Sequence, residues 1–226
     1  MIQIAIDGYS GSGKGELSKG LSEKLNLKHL DTGAILRSMG LYFHGIGITE
    51  ITSEIIDAHY DKLNIKIEFD GDRQITYLNN QDVSTAIRTE VMGQMASRCA
   101  AIPKAMQKLI DISQEFASKY DCVLDGRNIT SEVLPDADVK IFLDASPECR
   151  AKRRYNELLQ KGIESDYDTI YESLKERDYR DTHREFSKMY IVEDAFVVDN
   201  SNMTIEETIN HCYNHIEKVL KEKGKI

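Results

Sequence analysis

The chain has 226 residues, of which 41% are hydrophobic and 30% charged, and its formal net charge is −9. This length and composition are typical of a folded globular protein with one main core, and they exclude a disordered chain. The acidic balance argues against a long nucleic acid as partner, because phosphate neutralisation needs a surplus of Lys and Arg on one face. No apolar run approaches the roughly 20 residues of a membrane helix, and the chain opens without a basic leader. We expect a cytoplasmic monomer that contacts no membrane.

The cysteines and histidines give no sign of a metal or redox centre. The four cysteines form no CxxC pair, which predicts reduced thiols. His211 and His215 are four residues apart, but a surface pair on a helix is the expected interpretation because no third ligand is near in sequence.

The chain opens with two strand–helix units. Residues 2–6 form a short apolar run, and leucines recur every four residues within 14–25, which predicts a strand and an amphipathic helix. A second unit is predicted from a short strand near 28–30 and a helix over 34–43, with Asp31 and Thr32 as caps at its start. Such units are typical of a parallel α/β fold.

An antiparallel segment interrupts this pattern. Within residues 64–89, apolar and polar side chains alternate around turns at Asp70-Gly71-Asp72 and Asn79-Asn80. The pattern predicts a hairpin or a small three-stranded sheet, inserted into the α/β chain.

The remaining elements again fit an α/β fold. They are predicted as helices over 90–100 and 103–119, strands at 121–125 and 139–143, charged helices over 147–161 and 166–182, a strand at 196–199, and a helix from about 204 with a capping box of Thr204 and Glu207.

The strongest chemical signal is GYSGSGK at residues 8–14, between the first strand and the first helix. It has the spacing of a P-loop, in which glycines let backbone N–H groups converge on phosphate and the helix N-terminus favours negative charge. Lys14 brings an ammonium group to the β- and γ-phosphates. The sequence therefore predicts a site for a nucleoside triphosphate.

The hydroxyl that usually contacts Mg²⁺ after the P-loop lysine is missing. Lys14 is followed by Gly15 and Glu16. The Glu16 carboxylate is a candidate metal ligand, but it also adds negative charge beside an anionic nucleotide.

Several later segments add polar groups for a second substrate. Thr32 and Arg37 are expected to face one cleft, and Asp125 ends a buried strand, where ligands bind in open α/β sheets. Asp125 is also placed like a metal-holding aspartate. The cation-rich run 150–154 and the arginines at 177, 180 and 184 suit phosphate binding, although exposed helix faces carry similar charge patterns.

Together these segments resemble the bacterial cytidylate (CMP/dCMP) kinases. The resemblance spans nearly the whole chain and is carried by residues 4–14, LDTGAILR at 30–37, residues 79–103, LDGRN at 124–128, residues 134–158 and ERDYRDTHR at 176–184.

The resemblance implies a role for each matching position. Lys14, Arg127 and Arg177 are the implied catalytic residues. The implied ATP-binding residues are Gly8, Ser10, Gly11, Ser12, Gly13, Lys14, Gly15, Glu16 and, from a mobile lid, Arg150, Arg153 and Arg154. The implied CMP-binding residues are Thr32, Arg37, Ser97, Arg127, Asn128, Arg177, Asp181 and Arg184, and the implied metal ligands are Asp125, through water, and Glu16.

The chain departs from the family pattern at four positions. Tyr9 stands where the family has Pro, Glu16 where it has Ser or Thr, Asn128 where it has Asp, and Met106 where it has Arg. The last two positions help to read the cytosine base in the family, so the base pocket of this chain is altered.

These observations predict a P-loop nucleoside monophosphate kinase fold over 1–226, with a parallel core, an inserted monophosphate-binding subdomain at 64–102 and a helical lid at 148–165. The expected reaction transfers the γ-phosphoryl group of ATP, with Mg²⁺, to CMP or dCMP. Two alternatives stay open. Met106 and Asn128 are compatible with a different small acceptor, and Glu16 is compatible with a catalytically weak nucleotide-binding protein.

Overall fold

The structure is a computed structural model that describes residues 1–226. Its elements follow in chain order: β1 Gln3–Gly8, α1 Lys14–Leu25, β2 Lys28–Asp31, α2 Gly33–Gly45, α3 Ser53–His59, β3 Ile65–Asp70, β4 Arg73–Leu78, β5 Gln81–Asp82, α4 Glu90–Cys99, α5 Pro103–Ala117, β6 Cys122–Gly126, β7 Val139–Asp144, α6 Pro147–Gln160, α7 Tyr167–His183, β8 Phe196–Asp199 and α8 Ile205–Glu222. Short 3₁₀ helices lie at Tyr60–Lys62 and Ala86–Arg88, and a π-helix lies at Ile129–Val133.

Five parallel strands form the central sheet in the order β2-β6-β1-β7-β8. Alternate residues of β1 face opposite sides of this sheet. Ala5 packs into a cluster of 30 buried residues that includes α2, α4 and α5, whereas Ile4 and Ile6 pack into a cluster of 13 with α1 and α8. The predicted α/β class with a parallel core is confirmed.

The predicted antiparallel segment is a three-stranded sheet in the order β3-β4-β5. Gly71 turns with φ +60°, and Asn79 and Asn80 turn with φ +52° and +66°. These residue types tolerate the left-handed conformation, so the turns fix the register of the sheet. The residues at 64–102 and 148–165 stay predictions as functional subdomains.

The predicted helices and strands are all present, with ends shifted by no more than two residues. The capping box of α8 is confirmed by reciprocal bonds between Thr204 and Glu207. Thr32 is at the N-cap of α2, but the prediction that its side chain caps the helix is wrong: its hydroxyl donates to the Asp125 carbonyl oxygen at 2.8 Å.

Besides the two short 3₁₀ helices, two helical segments are absent from the prediction. The helix α3 has seven residues with only Ile56 buried, too few for a readable apolar period. The π-helix begins where the fully buried Asp7 carboxylate accepts hydrogen bonds from the Ile129 and Thr130 amides. None of the helices is both long and apolar enough to cross a membrane.

All four cysteines are free thiols. Cys99, Cys122 and Cys212 are buried, and burial raises the pKa of each thiol to about 12. Cys149, in the first turn of α6, is partly exposed. The His215 ring stacks on Phe196 with the ring centroids 3.8 Å apart, and the His211 ring is tilted against Phe196 at 5.3 Å.

Candidate active site

A cleft of about 1380 Å³ lies where β1, β2 and β6 end. This is the edge at which open α/β sheets bind ligands. Most of the residues predicted for the site line it: Ser10, Gly11, Gly13, Lys14, Gly15, Glu16, Thr32, Arg37, Ser97, Asp125, Arg127, Asn128, Arg153, Arg154, Arg177, Asp181 and Arg184. Gly8, Ser12 and Arg150 do not line the cleft.

The phosphate loop turns on its glycines. Gly11 and Gly13 have φ of +78° and +93°, which other residues rarely adopt. A Cβ atom at Gly8 would lie 2.0 Å from the Leu143 carbonyl oxygen, so only glycine lets β1 approach β7 this closely. The loop thereby presents its backbone N–H groups at the start of α1, where the helix dipole favours anions.

Lys14 is the buried cation of this loop, with 6% exposure. Its Nζ donates to the Tyr9 carbonyl oxygen at 2.7 Å. Burial lowers the pKa of Lys14 well below its ordinary value, and the charge of Arg127 lowers it further. The site therefore disfavours this positive charge until an anion binds.

Arg150 lies beneath the phosphate loop, not in the cleft, and is 2% exposed. Its guanidinium donates to the carbonyl oxygens of Ala145 and Ser10 and pairs with Asp178 at 2.7 Å. The Tyr9 ring centroid is 5.1 Å from the guanidinium carbon. Two of these contacts, with the Ser10 carbonyl oxygen and the Tyr9 ring, are with the phosphate loop. Arg150 therefore stabilises the loop from the side that faces away from the cleft.

Arg153 and the buried Asn200 hold the other side of the loop. Both donate to the Ser12 carbonyl oxygen, at 3.3 Å and 3.0 Å. Arg153 also donates to the side-chain and main-chain oxygens of Asn200. Ser12 itself is fully buried, and its side-chain hydroxyl has no hydrogen-bond partner.

Arg154 reaches across the cleft from α6. It pairs with Glu157 on its own helix at 2.7 Å and with Glu90 at the start of α4 at 2.6 Å. This second ion pair links the predicted lid helix to the start of α4.

Arg127 and Arg177 place two guanidinium groups close to Lys14. Arg127 Nε pairs with the buried Asp181 carboxylate at 2.9 Å. Arg177 forms no hydrogen bond or ion pair, and its buried Nε has no partner. Burial lowers the pKa of Arg177 to about 10, and the charge of Arg127 adds to that shift. Arg177 stays charged at neutral pH, so this uncompensated cation favours an anionic ligand.

Arg37 is held in the cleft by Asp31. Its NH2 pairs with Asp31 Oδ2 at 2.5 Å, and Arg88 pairs with the same oxygen at 2.6 Å. Burial raises the pKa of Asp31, but the charges of Arg37 and Arg88 outweigh it and hold the pKa below the ordinary range. Arg37 Nε is buried without a partner.

Part of the cleft has an apolar wall. Met106 and Leu109 from α5 are almost fully buried, and Ser97 from α4 adds a hydroxyl. Asn128, which follows β6, also lines this cleft and is 2% exposed. Its Nδ2 donates to Ser187 Oγ at 2.6 Å and to Glu132 Oε2 at 3.2 Å. A flat, mostly apolar group with polar edges fits such a pocket.

The carboxylates of Glu16 and Asp125 line the cleft with Lys14. Asp125 Oδ1 is 2.6 Å from His29 Nε2, while Oδ2 has no partner in the protein. The pairing with Asp125 raises the pKa of His29 although burial, the largest effect, lowers it. No group of three or more metal-binding side chains is present. These donors fit Mg²⁺, which typically takes one or two carboxylates together with water and substrate phosphates.

Sequence reasoning missed several residues that shape the site. They are Asp7, His29, Glu132, Ser187 and Asn200. Only Ser187 has an unusual backbone, with φ +56°. Each of these residues bonds a partner that is far away in the chain. No local sequence motif therefore marks them.

A phosphate loop that shares one cleft with a buried lysine and the unpaired Arg177 is suited to passing a phosphoryl group between two bound substrates. The protein is therefore a P-loop phosphotransferase. The family model for cytidylate kinase matches residues 4–218, and the chain belongs to the cytidylate kinase family.

Curated relatives match over nearly the full length. The chain is 40% identical over 219 residues to the cytidylate kinase of Caldicellulosiruptor saccharolyticus, covering 97% of both chains. It is 41% identical over 224 residues to that of Fervidobacterium nodosum, covering 99% of this chain and 98% of the relative. Among solved structures, a gluconokinase from Sinorhizobium meliloti has a TM-score of 0.51 at 13% identity, covering 98% of this chain and 94% of the other. That likeness concerns the fold alone.

Proposed function

We propose that the protein transfers the γ-phosphoryl group of ATP to CMP or dCMP. Its membership of the cytidylate kinase family supports ATP as the donor and a pyrimidine monophosphate as the acceptor. The observation that carries the proposal is the meeting of Lys14, Arg127 and Arg177 in one cleft, with Arg177 left unpaired.

The donor is assigned to the phosphate-loop end. Backbone N–H groups of the loop and Lys14 bind the β- and γ-phosphates, and Arg154 closes from α6. Arg150 and Arg153 keep the loop in shape through their carbonyl contacts. Glu16 and Asp125 are the residues that would hold Mg²⁺, which supplies charge neutralisation on the donor phosphates.

The acceptor is assigned to the other end. In this assignment Thr32, Arg37, Arg127 and Arg177 bind its phosphate, and Asp181 and Arg184 contact the sugar. The base lies between Ser97, Asn128 and the apolar wall of Met106 and Leu109.

Catalysis then comes from position and charge. The two substrates are aligned for in-line transfer, so no covalent enzyme intermediate is needed. Lys14, Arg127 and Arg177 stabilise the negative charge that spreads over the transferring group. Closure of the lid segment 148–165 excludes water, because hydrolysis of ATP is the competing reaction.

A panel of nucleoside monophosphates in a coupled ADP-release assay tests the proposal. We expect kcat/KM for CMP and dCMP to exceed that for all other monophosphates. Preferred turnover of another acceptor supports the alternative that Met106 and Asn128 reshape the base pocket for it. ATP binding by calorimetry without transfer to any monophosphate supports a nucleotide-binding protein instead. A single monomeric mass by light scattering tests the predicted oligomeric state.

A further inference from the structure

The side-chain amide of Asn128 is bonded on one side only. Its Nδ2 donates to Ser187 Oγ and Glu132 Oε2. Its Oδ1 has no hydrogen-bond partner in the protein, and Asn128 lines the cleft. The oxygen is therefore the atom that Asn128 offers to a ligand.

The chemistry of the two neighbours fixes this orientation. An ionised Glu132 carboxylate only accepts hydrogen bonds. The Ser187 hydroxyl has one hydrogen, which it donates to Glu132 Oε2, so toward Asn128 it acts as an acceptor. Both neighbours thus require a donor, and a turned amide would set Oδ1 against two oxygens.

Ser187 is itself held firmly. It is 6% exposed and has a left-handed backbone with φ +56°, which is uncommon for a residue other than glycine. Its carbonyl oxygen accepts from Arg184 Nε at 2.6 Å. Such over-determined backbone conformations are found at ligand sites.

We propose that Glu132 and Ser187 are positioning residues that lock the Asn128 amide, so that Oδ1 selects an acceptor base with an exocyclic amino group. The proposal rests on the function proposed above and deepens it. A base such as cytosine donates from its amino group to Oδ1. A base with a keto oxygen at that position, such as uracil, meets an acceptor that cannot turn its donor side toward it. Selectivity for the base therefore depends on Glu132 and Ser187, which fix the orientation of Asn128 and do not contact the base themselves.

Two pairs of variants test this role through the ratio of kcat/KM for CMP to that for UMP. Glu132→Met removes the acceptor at similar length, so the amide becomes free to turn and the ratio falls by about tenfold. Glu132→Gln keeps an acceptor oxygen, so the ratio stays within about threefold of the wild-type value.

The second pair compares two serines near Asn128 whose hydroxyl groups are buried. Ser187→Ala removes the hydroxyl from the network, and we expect the ratio to fall by about threefold. Ser131→Ala is the control, because the Ser131 hydroxyl is buried in the same region without a partner. It should leave the ratio unchanged.

The outcomes separate this inference from the proposed function. A wild-type protein that uses neither CMP nor UMP contradicts both. A wild-type protein that uses UMP as well as CMP overturns selection of the base by Asn128 and leaves transfer to CMP standing. A wild-type preference for CMP that persists in Glu132→Met and Ser187→Ala overturns the positioning role and leaves the kinase activity standing. If Glu132→Met does not fold, Ser187→Ala against Ser131→Ala decides.

Discussion

At the scale of single residues, the ammonium group of Lys14 lies in a buried environment that disfavours its positive charge. Its Nζ has one partner, the Tyr9 carbonyl oxygen, while burial and Arg127 lower its pKa. A bound phosphate supplies the negative charge that is missing. Proton binding at Lys14 and nucleotide binding are therefore coupled, each favouring the other.

We expect nucleotide binding to take up a proton at Lys14 in the pH range between its lowered pKa and the ordinary value of 10.5. At lower pH Lys14 is charged with or without nucleotide, so the uptake disappears. Calorimetric titration with ATP in two buffers of different ionisation enthalpy measures it. Lys14→Met removes the titrating group, and an unchanged proton count in that variant contradicts the assignment.

Glu16 is a second residue whose role is open to a direct test. It is exposed in the first turn of α1 and has no hydrogen bond or ion pair in the protein. If it is a ligand, Glu16→Ala should raise the Mg²⁺ concentration for half-maximal rate by about tenfold, with Glu16→Thr intermediate.

The matched control for Glu16 is Glu206→Ala, which removes an exposed acid from the first turn of α8. It should leave the Mg²⁺ requirement unchanged. A variant at position 16 that is faster than the wild-type protein shows instead that the carboxylate hinders phosphate binding.

At the scale of elements, α2 and α4 pack closely at Gly40. A Cβ atom there would lie 2.6 Å from Met95 Cβ, so Gly40→Ala should destabilise the fold by about 1–3 kcal/mol. Gly45, on the same helix, has nothing within 4 Å of such an atom, and Gly45→Ala should be neutral or stabilise by up to about 1 kcal/mol. Urea unfolding measures both, and equal midpoints would contradict the packing argument.

The elements that the sequence predicts are those with a local signal. Leucines every four residues give α1, and the turn residues at Asn79 and Asn80 give the end of β4. The P-loop is readable because seven neighbouring residues form it. The capping box of Thr204 and Glu207 spans only four positions, so it too is visible in the sequence.

The contacts that support the site are not local. Asp7 caps the π-helix 122 positions further along the chain, and Asn200 bonds Ser12 across 188 positions. A single sequence does not reveal which polar residue meets which. The same limit applies to Arg150, whose buried position depends on pairing with Asp178.

At the scale of the whole molecule, a net charge of −9 coexists with an arginine-lined cleft. Six of the eleven arginines fall within 148–184, where nine acidic residues balance six Arg and three Lys. Four of these six line the cleft: Arg153, Arg154, Arg177 and Arg184. The sequence thus locates the positive charge by segment, but pairing in the fold, such as that of Arg150 with Asp178, decides which guanidinium groups line the cleft.

The ion pair between Arg154 and Glu90 connects the two sides of the cleft at 2.6 Å. Both side chains are partly exposed, so the pair contributes little to stability. We expect Glu90→Gln to release Arg154 for the nucleotide and to tighten ATP binding by about two- to fivefold. Calorimetry measures the Kd of ATP.

Glu157→Gln is the control for this change, because Glu157 pairs with Arg154 within α6 and does not cross the cleft. Its effect on ATP affinity should be smaller. Weaker or unchanged ATP binding in Glu90→Gln rules out the ion pair as a restraint on the lid.

The four cysteines differ in exposure, which gives the protein one natural site for labelling with a thiol reagent. Three cysteines are buried, with pKa values raised to about 12, and are poor nucleophiles at neutral pH. Cys149 is partly exposed at the start of α6, one residue before Arg150. A maleimide fluorophore should therefore label the wild-type chain at Cys149 alone. The proposed closure of the lid segment can then be tested by the fluorescence of this label with and without nucleotide, without any engineered cysteine.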